Sequence, residues 1–320
     1  MRANLLDFSL LFAISFTLLI FASLALAISI GTAPGVMEIG EVKRGETIPV
    51  TFYLLTTADK DILVTMSHID VHLTFYSRNR TGRYTFDPNQ ASDEDTSTWI
   101  EFTKNPVIVS PHSTYVVYLP NGEVVRANQK VTFLLHVPKD ADPGYHAFSI
   151  NLAPTFYGTG MISTIGVTRP VFIFKVPGKA IRSGRVEGIA ADRQPNGMVR
   201  IDVLFRNTGT VTLKARVKKL DIYDEKGNYM TSLFTAYKRV PPGKASVFSV
   251  YWDNKEREEK KHRMVVTMDF ITGEAVAEDI VRVPPYVVTA AVVKEKREIP
   301  LWLIILLIGI AMLLVYWKYW

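Results

Sequence analysis

The sequence predicts an all-β chain of two tandem β-sandwiches, followed by one C-terminal transmembrane α-helix. Three observations carry that prediction. Short runs of β-branched and aromatic residues, several strictly alternating with polar ones, recur from residue 33 to 293 with no sustained helical period. Turn signals separate them at Pro120-Asn121-Gly122, Asp142-Pro143-Gly144, Pro195-Asn196-Gly197, Glu225-Lys226-Gly227 and Pro241-Pro242-Gly243. Residues 299–317 carry no charge and are almost wholly apolar, which is the length and character of a membrane span.

At the N-terminus, residues 8–28 form an apolar run preceded by Arg2 and ending in Ala25-Leu26-Ala27. A basic start, an apolar centre and a small-residue exit make residues 1–27 a secretory signal peptide cut after Ala27. The run is long for a signal core and Asp7 interrupts the basic region, so an uncleaved N-terminal anchor is the alternative reading. Both carry the following chain across a membrane.

The first sandwich is expected over residues 33–176. In 47–56, Ile48, Val50, Phe52 and Leu54 share one face; 131–137, 147–152 and 171–176 are further strands. A long polar insertion, 77–98, interrupts this domain. The Val176-Pro177-Gly178-Lys179 break marks the boundary, and a new strand series opens at Arg185. The second sandwich is expected over 181–290. Within it, 254–263 reads as a short helix or a charged hairpin loop. A charged stalk, 291–298, leads to the transmembrane helix, 299–317, which spans roughly 28 Å. Trp302 stands near one end of that helix, and Tyr316, Trp317, Tyr319 and Trp320 crowd the other, as interfacial aromatics do. Lys294, Lys296 and Arg297 then lie outside and mainly Lys318 inside, against the positive-inside tendency.

Composition excludes several function classes. The chain has no cysteine, which removes disulfides, thiolate nucleophiles and cysteine-ligated metals. Residues 28–177 hold 12 Lys/Arg against 14 Asp/Glu, a balance of −2, whereas 178–298 hold 23 against 16, a balance of +7. The basic excess suits anionic lipid or an acidic polymer, and an ordinary solvated surface accounts for it equally. Its residues are scattered and form no recognition motif, so nucleic acid is not expected.

Local segments resemble known families. Leu204–Thr210 (LFRNTGT), then Asp224-Glu225-Lys226-Gly227, then Pro241-Pro242-Gly243-Lys244 looks like the strand–turn series of immunoglobulin-like adhesion modules. Val137–His146 (VPKDADPGYH) is similar to the turn entering a late strand of such modules. The layout of signal, two sandwiches, stalk and helix resembles the surface proteins that interact with WxL-domain proteins, and the first domain is similar to pilus-chaperone sandwiches. The resemblance implies immunoglobulin-like folds, a polymer-binding first domain and a ligand-binding second one. It carries over no functional residue.

The candidate metal ligands are His68, Asp70 and His72, which alternate onto one strand face. His68 and His72 would stand about 13 Å apart, too far for one ion, so a solvated strand face is the competing reading. Asp93-Glu94-Asp95, with Asp87 and Asn89, offers oxygen ligands for calcium but lacks the EF-hand spacing; a solvated loop competes. Asn79-Arg80-Thr81 is a glycosylation sequon. Gly158-Thr159-Gly160…Gly166 reads as a hairpin and not a phosphate loop, and Trp99 and Trp252 as core aromatics or sugar platforms. No catalytic motif occurs and no cofactor is implied. The expectation is an exported, membrane-anchored, non-enzymatic adaptor with both sandwiches extracellular. Its first domain and the 77–98 loop would bind an envelope protein or a surface glycan. Carbohydrate binding and chaperone-like assembly of secreted filaments are the alternatives.

Overall fold

The computed structural model describes residues 28–71, 87–119, 122–156, 165–256 and 258–286, with Met312 and Trp317 in addition. His72, Asn79, the 158–160 glycines, the signal segment 1–27, the stalk and all but those two positions of 299–317 lie outside the described residues. Among the described residues no helix is long and apolar enough to cross a membrane.

The first lobe contains β1 (Ile28–Ala33), β2 (Val36–Glu41), β3 (Thr47–Thr56), β4 (Ile62–Asp70), β5 (Ile100–Phe102), β6 (Val107–Val109), β7 (Tyr115–Tyr118), β8 (Val124–Ala127), β9 (Gln129–His136), β10 (Gly144–Phe156), β11 (Ile165–Val167) and β12 (Val171–Val176). One sheet runs β11-β1-β3-β9-β5 and the other β2-β12-β10-β4-β6; β7 and β8 form a separate hairpin. The pleat turns alternate side chains inward. Val50, Phe52 and Leu54 of β3 are buried as their alternation predicts, with Ile48 packed beside them. Phe133 sits at the middle of the core, with ring centroids 6.3, 5.8 and 5.1 Å from Phe52, Phe148 and Phe172. Trp99 is buried against Phe174, as a core aromatic.

Three expectations need correcting here. The lobe begins before residue 33, because β1 already pairs with β3 and β11. The Ala33-Pro34-Gly35 step then moves the chain to the other sheet. The strands that flank the glycine-containing segment do not pair with each other: β11 joins β1 in the sheet opposite β10. His68 does not stand on a solvated face. It continues the core-side row of Ile62, Val64 and Met66, and its ring stacks on Phe148 at 6.0 Å. The other face of this sheet is apolar too: Val71, Ala147, Val171 and Ile173 are buried there beneath Ala91.

The second lobe contains β13 (Gly184–Arg193), β14 (Val199–Asn207), β15 (Leu213–Tyr223), β16 (Tyr229–Leu233), β17 (Lys238–Val240), β18 (Ala245–Trp252), β19 (Lys260–Asp269) and β20 (Glu274–Val283). Sheet β13-β14-β18 packs on sheet β16-β15-β19-β20, and β17 also pairs with β15. Ile201, Val203 and Phe205 face Leu220, Ile222, Met264 and Val266 across a second core, closed by Trp252. The turns foreseen at 195–197 and 225–227 close the β13–β14 and β15–β16 hairpins. The charged segment after Trp252 is neither helix nor hairpin. It arches between sheets, since β18 pairs with β14 and β19 with β15.

Candidate binding groove and domain junction

Hairpin β7–β8 lies over the outer face of the β3 sheet. Asn128 pins its base: the side-chain amide donates to the carbonyls of Pro111 and Ser113, and its oxygen accepts the Thr56 N–H at 2.8 Å. Alternation along β7 then decides what faces where. Val117 is buried and Tyr115 packs on Tyr53 at 6.1 Å. Val116 and Tyr118, of opposite parity, are 57% and 78% exposed.

Opposite this hairpin runs the start of β2. Pro34, Val36, Met37 and Glu38 form one wall, Val116 to Leu119 the other, and Thr51 and Tyr53 the floor of a groove of about 850 Å³. Each wall is a strand with one unpaired edge among the described residues. β2 pairs only with β12, in parallel, and β7 only with β8. Two rows of backbone N–H and C=O groups therefore border a surface with exposed Val36, Val116 and Tyr118. Such an edge is a template for another extended chain.

The acidic loop singled out in the sequence is used differently. Its described part does not project as a free binding loop; it is wedged between the lobes. Arg182, in the linker, bonds Asp93 at 2.6 Å, with both side chains only 2% exposed. The same guanidinium donates to the Ala91 carbonyl at 2.8 Å, the Phe270 carbonyl at 2.9 Å and Thr272 Oγ1 at 2.9 Å. Asp93 also accepts the Lys214 N–H at 2.9 Å, while its own N–H donates to the Thr212 carbonyl at 3.0 Å. Asp142 Oδ2 accepts the Thr212 N–H at 2.6 Å and the Ser92 hydroxyl at 2.7 Å. Arg239 donates to the Asp93 carbonyl and to Asp70, both at 2.7 Å, and Lys214 also pairs with Asp70.

These contacts reassign the metal candidates. Asp70 is taken by two cations from the second lobe, and His68 Nε2 shares a hydrogen bond with Thr96 Oγ1 at 3.0 Å. Burial holds the His68 ring below the usual imidazole range, with Asp70 and Asp95 opposing. Asp87 caps Asn89, and Asp95 accepts the Ser97 N–H. Among the described residues no three His, Asp or Glu side chains converge on one point. Glu94 Oε2 accepts the Asp142 N–H at 2.9 Å. Burial, with the nearby Asp142 and Asp140 charges, pushes its carboxyl up to about 7. His146 is fully buried, with Nε2 bonded to the Asp142 carbonyl at 3.0 Å. Burial pushes it down to about 4.

No family model matches the sequence, and no curated protein matches it. Solved structures similar to the fold include a protein of unknown function from Porphyromonas gingivalis W83, at 9% identity, TM-score 0.26, covering 80% of this chain and 99% of that one. The class 5 fimbriae chaperone CfaA is similar at 12% identity and TM-score 0.31, over 79% of this chain and 98% of its own. A candidate carbohydrate-binding protein from Bacteroides ovatus ATCC 8483 has 10% identity and TM-score 0.31, over 78% and 67%. The likeness to WxL-interacting surface proteins is not among these findings.

Proposed function

We propose that the chain is a non-enzymatic binding protein of the cell envelope whose first lobe receives an extended polypeptide segment of a partner protein. One observation carries this reading: two unpaired strand edges, β2 and β7, border a single groove with outward Val36, Val116 and Tyr118. A partner strand laid there would take backbone hydrogen bonds from an edge and seat alternate apolar side chains on those three residues. The envelope location and the immunoglobulin-like assignment come from sequence alone: the export segment, the 299–317 span and the strand–turn series.

The test is site-specific crosslinking in the native host, with p-benzoylphenylalanine replacing Val116. The expected result is one discrete protein adduct, reduced at least about tenfold by Val36→Lys or Tyr118→Asp. Hydrogen exchange on the purified complex should show new protection of amides in 36–41 or 115–118. A glycan adduct without amide protection would overturn the polypeptide reading in favour of carbohydrate binding, for which Tyr53, Tyr115 and Tyr118 supply stacking faces. An adduct unaffected by either substitution would remove the groove altogether.

A further inference from the structure

We infer, on the premise that the groove is the binding site, that the partner segment it receives carries a lysine or arginine two residues from an apolar residue. The apolar residue lies beside Val36, and the basic side chain is taken by Glu38 and Glu41 at the end of the groove.

The backbone decides where such a segment can bond. In a parallel pair, alternate residues turn both their N–H and their C=O to the neighbouring strand, and the residues between turn theirs away. The Val171 N–H donates to the Gly35 carbonyl at 3.0 Å, and Val36 stands beside Val171 in the register. Gly35 and Met37 therefore serve β12, while Val36 and Glu38 aim their backbone groups at the open side. The register shifts between Ile173 and Phe174, and Gly40 has φ +93°, so the regular edge ends just after Glu38. β2 borders a five-stranded sheet and β7 belongs to a two-stranded hairpin, which makes β2 the firmer template. A strand added there sets one residue beside Val36. Two positions along, on the same face, it sets another beside Glu38.

The chemistry of those two residues follows from what they meet. Val36 is 47% exposed on the apolar groove wall, so its neighbour is apolar. Glu38 is exposed, and alone among the residues lining the groove it is charged. It also lines a second recess of about 270 Å³ farther along β2, with Gly40, Glu41, Tyr145 and Lys175. Among the described residues neither the Glu38 nor the Glu41 carboxylate has an ion-pair or hydrogen-bond partner. Lys175, the cation lining this recess, holds its ammonium over the Tyr145 ring, 5.5 Å from the centroid. Two carboxylates against one ammonium leave the recess net negative. The space over Gly40 is open, with nothing within 4 Å of where a Cβ would stand. A lysine or arginine beside Glu38 can lay its stem there and bring its charge to both carboxylates. An acidic residue in that place would meet two like charges.

The test combines the native-host crosslink from p-benzoylphenylalanine at Val116 with charge reversal. Glu38→Lys should lower the yield of the polypeptide adduct at least about fivefold, and Glu38→Gln by less. Asp279→Lys, the same charge change at an exposed residue of the second lobe, should leave the yield unchanged. Tandem mass spectrometry of the adduct should locate the basic residue two positions from an apolar one. Changing that residue to glutamate in the partner should restore the adduct with Glu38→Lys. Hydrogen exchange on the purified wild-type complex should show new protection at the Val36 and Glu38 amides. Absence of any polypeptide adduct in the wild type would overturn the groove as a binding site and this inference with it. A polypeptide adduct undiminished by Glu38→Lys, a bound segment without the basic residue, or protection confined to 115–118 would overturn this inference alone.

Discussion

Arg182 uses four hydrogen bonds to satisfy a guanidinium that water scarcely reaches. A buried ion pair gains little net stability when complete, but breaking it strands a desolvated charge, at about 3–5 kcal/mol. Arg182→Ala should therefore cost about 3 kcal/mol or more in urea unfolding, whereas Arg185→Ala, whose partner Glu187 also holds Arg206, should cost almost nothing. His146 makes a different prediction. The unfolded chain protonates this ring near 6.5, while the folded chain holds it neutral to about 4. Its stability contribution is complete above pH 6.5 and is lost as pH falls towards 4, up to about 3 kcal/mol. The ring stacks on Phe174 and lies tilted against Trp99, and His146→Phe should remove that acid slope. Chemical unfolding of both proteins at pH 4.5 and 7 checks it; an unchanged difference between the two pH values would refute it.

Among the elements, the turn entering β10 is closely packed against both the 88–90 turn of its own lobe and Ala180 of the linker. Gly144 has φ +102°, and a Cβ there would fall 2.2 Å from the Gln90 carbonyl oxygen and 2.7 Å from Ala180 Cβ. Gly122 in the β7–β8 turn has φ +84° and open space around it. Gly144→Ala should thus destabilise the chain by more than 2 kcal/mol, at about twice or more the cost of Gly122→Ala, which carries only the left-handed backbone penalty of about 1–2 kcal/mol. Thermal unfolding of the two variants side by side checks the order. Much of this layer was legible from alternation and turn residues: β3, β12, the opening of β13 and the turns at 195–197 and 225–227 lie where the pattern puts them. The core side of β4 was not, because its buried row of Ile62, Val64 and Met66 continues into the polar His68 and Asp70, while Val71 of the opposite parity is buried too. Nor were the connections that cross between sheets, since a turn signal marks a reversal but not the partner strand. The acidic run 93–95 stood out in the sequence, yet Arg182, Lys214 and Arg239, which give it its role, are far along the chain and carry no spacing signal. Val116 and Tyr118 carry no signal of their own in the sequence; the unpaired hairpin is what exposes them.

At the scale of the whole molecule, the charge asymmetry acquires a structural use. Part of the basic excess in the second half is spent on the first: Arg182, Lys214 and Arg239 all bind Asp70 or Asp93. That leaves less free positive surface for lipid head groups than a count of residues implies. Two lobes with separate cores would by default move and unfold independently. Here a loop of one is buried in the other through hydrogen bonds that neither lobe can make alone, so the groove is carried at a fixed angle to the second lobe. Calorimetry of the full chain should accordingly show one transition for both lobes, with calorimetric and van't Hoff enthalpies in agreement. Arg182→Ala combined with Asp70→Asn should split it into two, each belonging to one sandwich. Two separate transitions in the wild type would mean that the junction does not couple the lobes, and the fixed presentation of the groove would fall with it.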